Sequence, residues 1–249
     1  MSLRHIKSFQ ELSSALADVL SAHNIHESHG HGHALQVYAH ALAAFDSSPY
    51  SPDENIRNIV GAAALLHDAD DRKFFHHQNN ENARVILAAA ADEYSCEDVE
   101  TVVSSIGLVS ASKNHDSVSQ QLPEWMYYPR WADRLTAIGH EGLVRCYDYT
   151  RHDGRPLATP ATKKARTQEE LWKIASPERY ANYAGVSESM IDHMYDKLLR
   201  AGLALTEVGN DYIKNKAKKR LDVMVSYLLM YGVTGYALNP SSLGLAGDE

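Results

Sequence analysis

Apolar residues recur at helical spacing along almost the whole chain. Leu12, Leu16, Val19 and Leu20 share one face, behind a Ser8 and Glu11 capping-box pattern. A second helix is predicted from about Gly32, with His33, Val37, Ala41 and Ala44 on one stripe. Ser51, Pro52 and Glu54 supply an N-cap, a first-turn proline and a return carboxylate for a third helix, whose inner stripe reads Ile56, Val60, Ala63, His67. Helix formers fill 82–91, and Val99, Val102, Val103 and Ile106 lie on one face of 95–106. Residues 107–129 are polar and turn-rich and read as a long connection with room for a short helical piece. One helix is expected over about 131–146, a surface excursion over 149–166, a further helix opened by Thr167 with Glu170, and two more over 187–201 and 206–231. No alternating run with hairpin turns stands out, so the expected fold is all-α, a single domain over residues 1–249.

Composition narrows the function classes. The chain has 249 residues, 44% hydrophobic and 22% charged, enough apolar surface to build a core and too much for a disordered protein. A net charge of −8 with no long basic block argues against nucleic acid as a partner. No apolar run approaches the ~20 residues that span a bilayer, and the N-terminus lacks a signal-peptide core, so a cytoplasmic protein without membrane partners is expected. Cys96 and Cys146 belong to no C-x-x-C, which leaves disulfide frameworks and thiolate zinc sites unsupported.

The 14 histidines are the unusual feature, and six of them (His23, His26, His29, His31, His33, His40) crowd into one stretch. Divalent metals need imidazoles and carboxylates converging on one point, and inward helix stripes can deliver them. His33 sits on the second apolar stripe, His67 ends the third with Asp68 beside it, and Asp133 lies near the apolar Leu135 and Ile138. Two imidazoles and two carboxylates leave open positions on an octahedral ion, which suits Mn²⁺, Mg²⁺, Fe²⁺, Co²⁺ or Ni²⁺ better than a closed zinc site. His29, His31, His76 and His77 read as solvated loop residues, and His140, two turns beyond Asp133 on the same helix, as too far for the same ion. Trp125, Tyr127, Tyr128 and Trp131 read as core aromatics before a pocket wall.

These residues carry a resemblance. His29-Gly-His-Gly-His33-Ala-Leu-Gln-Val37, Ala64-Leu-Leu-His67-Asp68 with Asp71 and Lys73, and Trp131-Ala-Asp133-Arg134-Leu135-Thr-Ala137-Ile-Gly139 follow in order the signature of the HD-domain metal-dependent phosphohydrolases, in their compact bacterial-type branch. Asp192 to Leu199, and Ala217 and Arg220 in the last helix, are similar to that branch's closing segments, so the likeness covers about residues 25–232. Trp131, Thr136 and Gly30 stand where the branch commonly has Asp, and a His it often carries before the last motif has no clear counterpart in 106–114.

The resemblance implies one divalent ion held by His33, His67, Asp68 and Asp133, with His33 rather than His29 or His31 as the first ligand. It implies hydrolysis of a phosphoric ester or anhydride, with a small-molecule phosphate, a nucleotide foremost, as substrate. Asp71 is the candidate to orient the attacking water or handle a proton, and Lys73 and Arg134 are the candidate phosphate ligands. The alternatives are a dinuclear HD site acting as a phosphodiesterase or iron oxygenase, which would draw on His76, His77 or His115, and a non-catalytic metal or nucleotide sensor. A homo-oligomer is compatible with either reading.

Overall fold

The computed structural model describes residues 3–76, 79–90, 93–109 and 121–244, with side chains from residue 9 onward. The described residues are mostly helical, with no strand among them. None of their helices is long and apolar enough to cross a membrane. The chain divides into two compact units, residues 1–133 and 134–249.

In the first unit, α1 spans Leu3–Ala22, α2 His31–Asp46, α3 Glu54–Leu65, α4 Glu81–Ala89 and α5 Cys96–Val109. Helix α1 runs through Ser8, so the expected capping box there does not start it. Helix α3 is capped by Asp53, whose carboxylate accepts from the Ile56 N–H, rather than by Ser51 with Pro52 as its first residue. Most stripe positions bury: Leu12, Leu16, Val37, Ala41, Val60, Ala63 and Val102 are at most 2% exposed, whereas Val19, Ile56, Val99 and Val103 stay half-buried. Each large aliphatic side chain so buried contributes about 1.5–3 kcal/mol. Helices α2 and α3 pack together, and α3 also packs on α1 and α5. Within 107–129, α5 runs on to Val109 and a 3₁₀ turn occupies Glu124–Tyr127. Trp125, Tyr127, Tyr128 and Trp131 are buried, with the Trp131 ring 6.0 Å from Tyr127 and 5.8 Å from Tyr128.

The expected helix over 131–146 is two helices, α6 (Tyr128–Thr136) and α7 (Gly139–His152). The break has a local cause. Gly139 takes a φ of +79°, and a Cβ on Gly142 would lie 2.3 Å from the Ala137 carbonyl carbon. His140 therefore does not share a helix with Asp133. Its Nε2 donates to the Pro240 carbonyl at 3.3 Å.

In the second unit, α8 (Gln168–Ile174) opens on Thr167, whose hydroxyl accepts from the Glu170 N–H as the sequence suggested. A short α9 (Pro177–Ala181), not expected, is capped by Ser176. The predicted helix over 187–201 begins later, at Met190 with Ser189 as cap, and runs as α10 (Met190–His193), a π turn (Met194–Leu198) and α11 (Leu199–Leu205). Helix α12 (Asp211–Thr234), capped by Asn210, packs on α7, α8 and α11. The stretch expected as a surface excursion is tied down. Thr162 and Ala165 are buried, the Met190 and Ile191 N–H groups donate to the Pro156 and Leu157 carbonyls, and Gly232 admits the Ala165 carbonyl so closely that a Cβ would sit 1.7 Å from its oxygen.

Candidate metal centre

Four of the predicted side chains converge in the first unit. His33 stands in the first turn of α2, and Asp133 belongs to α6. His67 and Asp68 do not continue α3: that helix stops at Leu65, Leu66 caps it, and the pair occupies the turn that follows. Leaving the helix frees the two side chains from the ~100° separation that helical neighbours would have. Asp133 is the sixth residue of its helix, away from the helix start where a carboxylate could be explained by the dipole.

The ligating atoms lie close together. His33 Nε2 is 3.3 Å from His67 Nε2, 3.6 Å from Asp68 Oδ2 and 3.4 Å from Asp133 Oδ1. His67 Nε2 is 3.3 Å from Asp68 Oδ2 and 3.8 Å from Asp133 Oδ1. Ligands held about 2.0–2.1 Å from a single ion stand roughly 3.0–3.4 Å from one another, so most of these separations match a shared cation. The donor set also fits. His67 Nδ1 donates to the Ala64 carbonyl at 2.8 Å, which leaves the Nε2 lone pair turned to the cluster. His33, His67 and Asp68 form a group able to hold a metal ion.

The imidazoles are buried, while the Asp68 and Asp133 side chains keep 22% and 27% of their surface, so the cluster is open on its carboxylate side. Burial alone would depress the His67 imidazolium. The Asp68 charge and hydrogen bond, Asp133 and the Ala64 carbonyl outweigh it and raise the pKa to about 9. Burial would likewise raise Asp68, but the charge and hydrogen bond of His67, with His33 beyond, hold its carboxyl well below the usual carboxylate range. Without a metal, a proton does part of the work a cation would do.

The turn carrying His67 and Asp68 is fastened by a residue the sequence did not single out. The Asp70 carboxylate accepts from the Asn82 N–H at 2.9 Å and the Ala83 N–H at 3.0 Å, capping α4 from a distance, while the Asn82 side chain donates to the Ala69 carbonyl at 2.8 Å. No local pattern announces a cap supplied from twelve residues away.

Asp71 follows the same turn. Its Oδ1 accepts from the Lys73 N–H at 3.0 Å, and its Oδ2 is 3.7 Å from the Lys73 ammonium. Lys73 is exposed but reaches back to His29 Nε2 at 3.5 Å. Arg134 follows Asp133 in α6 and is 5% exposed. His29 and His31 are not solvated loop residues either: both are half-buried, His29 against Phe74 and His33, and His31 with Nε2 2.8 Å from Ser13 Oγ. His76 is exposed as expected, whereas His77 and His115 lie outside the described residues.

No family model matches the chain. It is 35% identical over 228 residues to the uncharacterized protein L803 of Acanthamoeba polyphaga mimivirus, a match covering 86% of this chain and 92% of that protein. Among solved structures it is similar to Bacillus subtilis YpgQ in complex with ADP, with a TM-score of 0.63 and 20% identity over 92% of this chain and 95% of the other. It is also similar to an HD-superfamily hydrolase from Bacillus thuringiensis, with a TM-score of 0.60 and 17% identity over 91% and 96%. The ordered His, His-Asp and Asp motifs, the all-α architecture and these likenesses agree: the chain belongs to one family with the mimivirus protein L803 and has the HD-domain fold.

Proposed function

We propose that this protein is a divalent-metal-dependent phosphohydrolase acting on a small nucleotide or related phosphate ester or anhydride, for example a nucleoside triphosphate cleaved to the monophosphate and pyrophosphate. The observation that carries the reading is the convergence of His33, His67, Asp68 and Asp133: two partly open carboxylates, each within 3.3–3.8 Å of two buried imidazoles whose Nε2 atoms are 3.3 Å apart. Likeness to an HD-superfamily hydrolase supports the reaction class, and the ADP held by YpgQ supports a nucleotide.

In this reading His33, His67, Asp68 and Asp133 hold one ion. A divalent cation bound there supplies an acidified water at neutral pH and a Lewis acid for a phosphoryl oxygen. Asp71, one turn of chain beyond His67, orients the attacking water and accepts its proton. Lys73 and Arg134 bind phosphate oxygens and supply locally the positive charge that the net −8 lacks. Trp131 and Thr136, which depart from the branch's pattern, are buried at 4% and 1% exposure, and Trp131 stacks in the aromatic core. Trp131 serves packing, and Thr136 Oγ1 accepts from the Arg145 guanidinium at 3.4 Å.

The test is a nucleotide panel incubated with metal-loaded protein under Mn²⁺, Mg²⁺ and Co²⁺, with phosphate and pyrophosphate release measured alongside the metal content per chain. Release from at least one nucleotide, lost on chelation, with about one ion per chain, is the expected result. No release from any member under any metal would overturn the reading, and two ions per chain would replace it with the dinuclear one.

A further inference from the structure

The histidines ahead of α2 are joined in a relay that ends on Lys73. The Ser28 N–H donates to His26 Nδ1 at 3.2 Å, so that nitrogen carries a lone pair and no proton. Ser28 Oγ lies 2.9 Å from the same nitrogen, and only the hydroxyl has a proton to place between them, so Ser28 donates. Its single proton is thereby used. Ser28 Oγ is also 3.0 Å from His29 Nδ1, and at this contact the oxygen can only accept, so His29 carries its proton on Nδ1. The neutral His29 ring then has its lone pair on Nε2, the atom 3.5 Å from the Lys73 ammonium.

Ser28 is 5% exposed, which protects the relay from competing water. The His29 ring packs edge-on against Phe74 at 5.4 Å and against His33 at 6.4 Å between centroids. Lys73 has a long flexible side chain, 60% exposed, whose ammonium lies between the Asp71 carboxylate at 3.7 Å and the His29 lone pair. Fixing such a chain beforehand removes an ordering cost that an anionic ligand would otherwise meet on binding.

We infer that His29 is a positioning residue: His26 and Ser28 fix its Nδ1–H tautomer, and its Nε2 holds the Lys73 ammonium ready for an anionic phosphate oxygen. The inference rests on the reading of Lys73 as a phosphate ligand, but the tautomer can be tested without turnover. Long-range ¹H–¹⁵N spectra of metal-free protein should place the His29 proton on Nδ1, and Ser28→Ala should shift it towards the Nε2–H form that predominates in free imidazole. An Nε2–H tautomer at His29 in the unmodified protein would overturn the inference whatever the enzyme does.

The functional arm uses metal-loaded enzyme on whichever nucleotide it hydrolyses, and binding of inorganic pyrophosphate if it hydrolyses none. His29→Ala is expected to raise KM, or weaken pyrophosphate binding, by about tenfold with little change in kcat or metal content, the scale of one charge-assisted hydrogen bond. His29→Gln, whose side-chain oxygen can accept from Lys73, should restore most of the loss. In a Lys73→Ala background His29→Ala should add nothing. Full additivity of the two substitutions, or failure of His29→Gln to rescue with the melting temperature unchanged, would refute the positioning role.

Discussion

Each unit contains a cluster of paired carboxylates, and the two clusters are built to opposite ends. In the second unit Asp192 and Asp196 share Arg179, whose Nη2 is 3.0 Å from Asp192 and whose Nε is 2.5 Å from Asp196. Thr162 and Ser189 donate to the other Asp192 oxygen at 2.7 and 2.6 Å, and Ser187 to Asp196 at 2.5 Å. In the first unit Asp68 and Asp133 face two imidazoles instead. A guanidinium stays protonated at any pH a protein meets and has no lone pair to offer a metal, whereas an imidazole can give up its proton and ligate. The second cluster is therefore held by a permanent cation and hydroxyl donors of its own sequence. The first can exchange a proton for a cation from outside.

Three experiments can break that contrast. The largest effect is expected from Asp68→Ala, which removes a carboxylate the proposed ion needs: nucleotide hydrolysis should fall by about a thousandfold or more and the bound metal should be lost, with the helical circular dichroism retained. Retained metal and turnover would take Asp68 out of the centre. Arg179→Ala should do the reverse, lowering stability by about 2 kcal/mol in a urea titration, because one buried and one half-buried carboxylate lose their cation, while metal content stays unchanged. An unchanged midpoint would mean that water solvates both acids and that this cluster is not closed.

The smallest effect separates the protonated and metal-bound forms of the first cluster. In metal-free protein His67 has a pKa of about 9 against its ordinary 6.5. A folded-state pKa above the unfolded one gives stability that is fully present below pH 6.5 and lost as pH rises through about 9. The melting temperature of chelated protein should fall over that window. Metal-loaded protein, with the His67 proton displaced, should show no such fall. Parallel profiles for the two forms would exclude His67 from the ligand set.

How far the sequence could be read depended on the range of the interaction. The α2 stripe is periodic and buries at the expected positions, the α5 stripe does so at Val102 and Ile106, and the Thr167 cap with Glu170 is a pattern completed within four residues. The order His33, His67-Asp68, Asp133 was visible because each motif is short. The break at Gly139 and Gly142 was hidden because it depends on a close approach to the Ala137 carbonyl, and the stripe leading to His67 overran the true end of α3. His29 and His31 read as loop residues because their partners, Lys73 and Ser13, lie 44 and 18 positions away.

By itself, then, the sequence determined an all-α chain and the residue types that could meet a metal, because periodicity, capping and ligand chemistry are local properties of a few neighbouring residues. Tertiary structure alone decided that those four side chains meet, that Asp70 locks the turn presenting two of them, and that a histidine from the crowded stretch lies against Lys73. The reason is physical: hydrogen-bond direction, burial and the location of a proton exist only once distant segments are packed together.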